Sequence, residues 1–221
     1  MEEAISMSGI GELPLVIHNA MRPGPGTGLP TRTEQGDLNL AMYAGHGDFP
    51  RVLLAPTSLE SGVELGQKAF NIADKYQVPV IILSDANYLS QSMNLGKVNL
   101  EENEYHVVES TEDYKRYQYT ESGISPRSVP GYGKGLVKVD SDEHTEEGLI
   151  TEDFDVRIKM MDKRMKKLDK YVDIEPELVG NPDYETLIVG WGSTYGAIKE
   201  ALLKSGNEKT AFLSFKQVFP L

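Results

Sequence analysis

The chain predicts an α/β fold built on a parallel sheet, and three observations carry that expectation. Strand-like and helix-like segments alternate through its first third. The run Val80-Ile81-Ile82-Leu83 is apolar without interruption, as a parallel strand covered by helices on both faces must be. A glycine- and proline-rich stretch, Arg22 to Asp37, lies where a strand hands over to a helix, which is where α/β sheets bind their ligands.

Taken in order, Met1 falls near a short helix that leads into a first strand, Leu13 to His18. Glu34 to Ala44 reads as a helix and Arg51 to Ala55 as a second strand. Thr57 followed three residues later by Glu60 has capping-box spacing, and the helix it opens runs through Ala69, Phe70 and Ala73 to about Tyr76, ahead of Pro79. With Val80 to Leu83 the pattern is βαβαβ. From about Leu95 to Gly148 the chain turns polar, with Gly, Pro and Tyr scattered through Tyr117 to Gly135. Only short strands are expected there, and irregular chain of that length is an arm or a lid.

Ile158, Met161, Met165, Leu168 and Val172 recur at spacings of three and four, which sets them on one stripe of a helix. The other face is basic, with Arg157, Lys159, Lys163, Arg164, Lys166, Lys167 and Lys170, and acidic Glu152, Asp153 and Asp155 precede it in the order the helix dipole favours. That basic face is expected to be solvated, with partner docking as the alternative. A linker, Asp173 to Asp183 with Pro176 and Pro182, leads to a second unit: strand Thr186 to Gly190, helix Ser193 to Leu203, strand Thr210 to Phe215. The organisation expected is therefore one unit over residues 1–175 and the beginning of another over 184–221. Both ends read as cut, because the first sheet keeps unpaired edges and a unit of about 40 residues is too small to support its own core.

Composition narrows the function classes. A formal net charge of −12 over 221 residues argues against nucleic acid and anionic membrane as partners. No apolar run approaches the roughly 18 residues of a spanning helix, and no secretory leader is visible, so the cytoplasm is the expected compartment. The chain has no cysteine, which excludes disulfides, a cysteine nucleophile and any cysteine-held zinc or iron-sulfur cluster within it; redox metal chemistry would require a partner subunit.

The candidate ligand site is the Arg22–Asp37 stretch. Glycines let backbone approach a ligand, prolines hold the loop in one shape, and Arg22 and Arg32 carry guanidinium forks that match a carboxylate or phosphate. Other motifs are weaker. Gly190-Trp191-Gly192-Ser193-Thr194-Tyr195-Gly196 follows a strand and opens a helix, but its spacing is not that of a dinucleotide fingerprint and it reads as a tight turn. His46, between two glycines, could serve a phosphate or an acid/base step or simply hold its loop. Asp142-Glu143-His144 with Glu146 and Glu147 lacks calcium-loop or zinc-helix spacing and reads as a solvated acidic turn. His18 and His106 have packing or surface roles.

Several co-linear motifs together resemble one family. Arg22 to Asp37, Gly45-His46-Gly47-Asp48-Phe49-Pro50-Arg51, Ser84-Asp85, Tyr114-Lys115-Arg116-Tyr117, Gly123-Ile124-Ser125-Pro126-Arg127, Asp142-Glu143-His144 with Glu147-Gly148, and Lys163-Arg164 are similar to the alpha subunit of 2-oxoacid:ferredoxin oxidoreductases. Pro23 and Gly26 depart from that family's more usual Gly-Gly-Pro-Ser-Thr-Gly loop. The resemblance implies an incomplete thiamine-diphosphate-binding domain of the pyrimidine type, followed by the start of a transketolase C-terminal-like domain. It also implies oxidative decarboxylation of a 2-oxoacid to an acyl-CoA, with electrons passed through iron-sulfur clusters to ferredoxin.

By the same resemblance, Arg22 holds the substrate carboxylate within a loop formed by Gly24, Gly26, Thr27 and Gly28. Thiamine diphosphate, Mg2+ and an iron-sulfur cluster belong mainly to a beta subunit, gamma and delta subunits are possible, and this chain alone binds no cofactor or metal. The glutamate that activates the cofactor and a Tyr-Pro-Ile-Thr-Pro segment are expected upstream of Met1. No catalytic residue is therefore expected in this chain, and in isolation it is expected to be inactive. The substrate stays open between 2-oxoglutarate, pyruvate and branched 2-oxoacids. Two alternatives remain: a non-catalytic α/β module that binds an acidic metabolite or scaffolds a partner, and a transketolase-like or decarboxylase component. For the second, the chain lacks a Gly-Asp-Gly segment followed at about 30 residues by an Asn-Asn pair, so diphosphate and Mg2+ would again be bound elsewhere.

Overall fold

A computed structural model describes every residue except Met1, Asn99, Glu101 and Val172. Helix α1 (Glu2–Ile10) leads through a tight turn into β1 (Leu15–Met21), followed by α2 (Leu38–Tyr43), β2 (Val52–Leu54), α3 (Leu59–Tyr76), β3 (Pro79–Asp85) and the one-turn α4 (Ala86–Leu89). After a long irregular arm come α5 (Phe154–Met165), continued by a 3-10 turn, then β4 (Glu177–Gly180), β5 (Thr186–Trp191), α6 (Thr194–Ser205), β6 (Thr210–Phe215) and β7 (Gln217–Phe219).

Two sheets form, ordered β1-β3-β2-β7 and β4-β6-β5. β1, β3 and β2 run parallel, with Leu15 opposite Pro79 and Met21 opposite Asp85. Alternate residues of these strands face opposite sides. Val52, Leu54 and Val80 pack under Leu65, Ala69, Ile72 and Ala73 of α3. Leu53, Ile81 and Leu83 pack on the other side with Met21, Ala41 of α2 and the partly buried Trp191, Val218 and Phe219. Both faces are thus covered, which is why β3 reads as an unbroken apolar run.

Several expectations are corrected. The helix expected over 34–44 begins only at Leu38, because residues just before it are engaged elsewhere: Gln35 donates to Trp191 O (2.9 Å) and Asp37 accepts from Asn19 (3.1 Å). The capping box opens one residue later than Thr57. Ser58 accepts from Ser61 N at 3.2 Å and Ser61 Oγ accepts from Ser58 N at 2.9 Å, so a serine takes the role expected of Glu60.

The linker contains β4, which pairs antiparallel with β6, while Gln217–Phe219 leave the second unit and pair antiparallel with β2 in the first sheet. In the arm, the described residues form only the isolated bridges Ser110–Gly133 and His144–Ile150. The arm lies against the start of the parallel strands, with Arg116 donating to Glu12 O (2.7 Å) and to Gln77 (3.0 Å), far from the strand ends where the glycine loop sits.

The largest correction concerns α5. Ile158 and Met165 of the predicted apolar stripe are exposed, at 59% and 46%, whereas Lys163, Arg164 and Lys167 are buried beside Met160. The basic residues are divided: Lys163, Arg164 and Lys167 turn inward onto the carboxylates of Glu12 and Glu143, while Arg157, Lys159, Lys166 and Lys170 stay exposed as expected. Val172 of the stripe lies outside the described residues.

Candidate functional site: an anion-binding loop at the strand ends

Parallel pairing brings the ends of β1 and β3 side by side, so Met21 and Asp85 are neighbours and Arg22 is the first residue past the sheet. The chain then folds back on itself. Leu29 N donates to Pro23 O (3.0 Å) and Arg32 N to Leu29 O (3.1 Å), closing a ring of backbone. Only glycine fits at Gly28: its φ is +51°, and a Cβ there would stand 1.8 Å from Pro23 O. Gly26 also has positive φ, +59°, but faces open space. Gly24, Gly26, Thr27 and Gly28 are all exposed, as is Arg22. Neither the Arg22 nor the Arg32 guanidinium makes a hydrogen bond or ion pair among the described residues. Two guanidinium forks are therefore available on one closed loop.

Beside the loop the end of β3 is polar. Asp85 is buried at the end of β3, with one carboxylate oxygen accepting from Tyr88 N (3.0 Å) and the other from Ser193 Oγ (2.6 Å). Gly192 does form the tight turn read from its motif, with φ +64°. Sequence reasoning missed that this turn sits on the glycine loop. Pairing of Gln35 with Trp191 spans 156 residues and leaves no local signal.

The other candidates have partners of their own away from the glycine loop. His18 is partnered by Ser84 Oγ (2.7 Å), and His106 by Glu104 (2.9 Å). His46 sits on the α2–β2 loop, 3.3 Å from exposed Glu3, at the end of the sheet away from Arg22. The acidic turn is solvated only in part: Asp142 is exposed, whereas Glu143 grips Arg164 through two bonds of 2.9 and 2.7 Å and also takes Arg157 (2.7 Å). His144 is buried with its ring 3.7 Å from that of Tyr117, and burial holds its pKa below the ordinary histidine value. Among the described residues no group of three or more His, Cys, Asp or Glu is arranged to hold a metal ion.

A second polar centre, unforeseen from sequence, lies at the opposite end of the sheet. Glu12, wholly buried, receives Lys163 Nζ at 2.5 Å and Lys167 Nζ at 2.8 Å. Burial alone would push the Glu12 carboxyl up, but the charges of Lys167 and Lys163 bring it down to about 2. Burial pushes Lys167 down to about 8 in spite of Glu12.

A mainly parallel sheet covered by helices, with a glycine loop that carries an unpaired arginine past its first strand, defines an α/β domain of mixed parallel type. Residues 1–163 match the family described as "Pyruvate flavodoxin/ferredoxin oxidoreductase, thiamine diP-bdg", and the chain belongs to that family.

The chain is 40% identical, over 95% of its length and 35% of the relative's, to "2-oxoacid:ferredoxin oxidoreductase 1, subunit alpha" of Sulfurisphaera tokodaii. It is 33% identical, over 100% of its length and 58% of the relative's, to "2-oxoglutarate synthase subunit KorA" of Archaeoglobus fulgidus. Among solved structures, it superposes with a TM-score of 0.90 and 32% identity on a 2-oxoglutarate:ferredoxin oxidoreductase from Magnetococcus marinus with 2-oxoglutarate, coenzyme A and succinyl-CoA bound, covering all of this chain and 40% of that one. The chain thus spans 35% of the first relative's length. No helix among the described residues is long and apolar enough to cross a membrane.

Proposed function

We propose that this chain is the substrate-carboxylate-binding part of the alpha subunit of a 2-oxoacid:ferredoxin oxidoreductase, which decarboxylates a 2-oxoacid oxidatively to an acyl-CoA. The observation that carries this reading is Arg22: an exposed guanidinium with no partner among the described residues, on a ring of backbone that Gly28 alone can close. A planar fork takes both oxygens of a carboxylate, which fixes the direction in which the adjacent keto carbon points. Holding that carbon in a near-attack arrangement lowers the entropic part of the barrier. Gly24, Gly26 and Thr27 give the substrate close access to backbone.

In this reading the chain holds and orients the 2-oxoacid. Diphosphate, Mg2+ and an iron-sulfur cluster belong in this reading to a beta subunit, with gamma and delta subunits and ferredoxin completing electron transfer. The setting is the cytoplasm. The chain alone is expected to be inactive. Residues 1–175 then form the cofactor-facing domain and 184–221 begin a transketolase C-terminal-like one.

In the complete enzyme, Arg22→Ala should raise KM for the 2-oxoacid by about 10- to 100-fold, the worth of a charged hydrogen-bonded pair, and lower kcat. Arg22→Lys should recover only part of this, because a point charge does not fix orientation. Steady-state kinetics unchanged by Arg22→Ala would overturn the assignment, as would a 2-oxoacid-soaked crystal with Arg22 turned to solvent.

A further inference from the structure

The turn Trp191-Gly192-Ser193 is held from two sides by residues of the first unit. Gln35 Nε2 donates to Trp191 O at 2.9 Å, and Ser193 Oγ donates to the buried Asp85 carboxylate at 2.6 Å. Gly192 is shaped to receive that amide: at φ +64°, a Cβ would stand 2.8 Å from Gln35 Nε2. Ser193 occupies the N-cap of α6, where a serine ordinarily accepts a hydrogen bond from the helix's own backbone, yet it makes no such bond. Its hydroxyl engages Asp85 instead, 108 residues away. Trp191 packs on the cluster that contains Met21, the residue immediately before Arg22. Asp85, which Ser193 holds, is the register partner of Met21 on the neighbouring strand, so the turn braces the start of the glycine loop through Asp85 and bonds its far end directly through Gln35.

We infer that Trp191-Gly192-Ser193 is a latch that fixes both feet of the glycine loop, so that Gln35 and Ser193 are positioning residues for Arg22. The inference deepens the reading of Arg22 as the carboxylate fork and rests on it. A loop whose two ends are pinned and whose middle is closed by the Leu29–Pro23 bond presents Arg22 in one orientation. Freed at one end it samples many, and misplacing a reacting group by about 1 Å costs on the order of a hundredfold. The latch also joins the two units beside the glycine loop, so relative movement of the second unit is transmitted to the carboxylate fork without any contact between that unit and the substrate.

The test uses the complete oxidoreductase carrying Gln35→Ala, Ser193→Ala and the pair together, with Ser193→Thr as the hydroxyl-retaining control and Gly192→Ala as an independent disturbance of the turn. Two readouts are taken: steady-state KM for the 2-oxoacid and for coenzyme A, and hydrogen exchange of the peptide spanning residues 22–35 within the complex. The double variant should raise KM for the 2-oxoacid about tenfold, leave KM for coenzyme A unchanged, and speed exchange at Leu29 and Arg32 while α3 stays protected. Ser193→Thr should behave as the parent, and Gly192→Ala should reproduce the double variant. Unchanged exchange over 22–35 overturns the latch, as does faster exchange with an unchanged 2-oxoacid KM in an enzyme that Arg22→Ala does impair. Where Arg22→Ala leaves KM untouched, the carboxylate-fork reading has failed by itself, and the inference that rests on it is withdrawn with it.

Discussion

Glu12 shows how far a single side chain's role can lie from its sequence neighbourhood. It stands in the turn before β1 with φ +50°, and its partner Lys163 is 151 residues away. Three cations gather around it: Lys163 and Lys167 on its carboxylate, and Arg116 on its backbone oxygen. Arg22, by contrast, sits in a loop whose turns are set by the dozen residues that follow it, so the shape of that loop was legible locally. Removing the carboxylate strands buried cations, so Glu12→Gln should destabilise the protein by about 3–5 kcal/mol at neutral pH, measured by urea unfolding. The pH dependence has a definite sign. The carboxyl titrates near 4.5 when free and near 2 in the fold, so between those values the unfolded chain binds more protons and stability falls as pH falls. The gap between parent and Glu12→Gln should therefore close as pH is lowered through that window.

At the scale of elements, α5 shows what periodicity does and does not reveal. The spacing of Ile158, Met161 and Met165 correctly marks a helix, because it repeats with the helical period. It misplaces the buried face, because the choice of face depends on what the helix meets. α5 meets Glu12 and Glu143, and a charged residue with a buried, well-aligned counter-ion outcompetes an aliphatic one for the inward position. Arg164→Ala should cost about 3–5 kcal/mol, since it breaks a two-bond pair in which the arginine side chain is 2% exposed. Ile158→Ser should change stability by no more than about 0.5 kcal/mol. Thermal unfolding of the two variants separates the cases, and an apolar-stripe helix would give the reverse order. The start of α3 shows the same limit on a smaller scale: the box was recognisable, but Thr57, Ser58, Glu60 and Ser61 offered two registers one residue apart, and only packing chose between them.

For the whole molecule, the βαβαβ order and the position of the glycine loop past β1 were legible, since each follows from local pattern and from the rule that ligands gather at strand ends. The exchange of β4 and β7 between the two sheets was not. Gln217 is buried and makes four polar contacts: it accepts from Tyr171 OH (2.8 Å) and Ile174 N (3.2 Å) and donates to Asp173 (2.8 Å) and Pro220 O (2.8 Å). Nothing in the local sequence around this glutamine announces such a network. Gln217→Ala leaves those partners unsatisfied and should cost about 2–3 kcal/mol, chiefly by loosening β7 from β2. Hydrogen exchange at Leu53 and Leu54 reads that loosening directly, and unaltered protection there would show that β7 is not held through Gln217.

The crossing of strands has a consequence for fragment complementation. The exposed stretch Pro182–Glu185 lies between β4 and β5, so a cut there yields one piece that lends β4 to the other's sheet and a second that lends β7 in return. Severed polypeptides with such mutual loans stay joined like clasped hands.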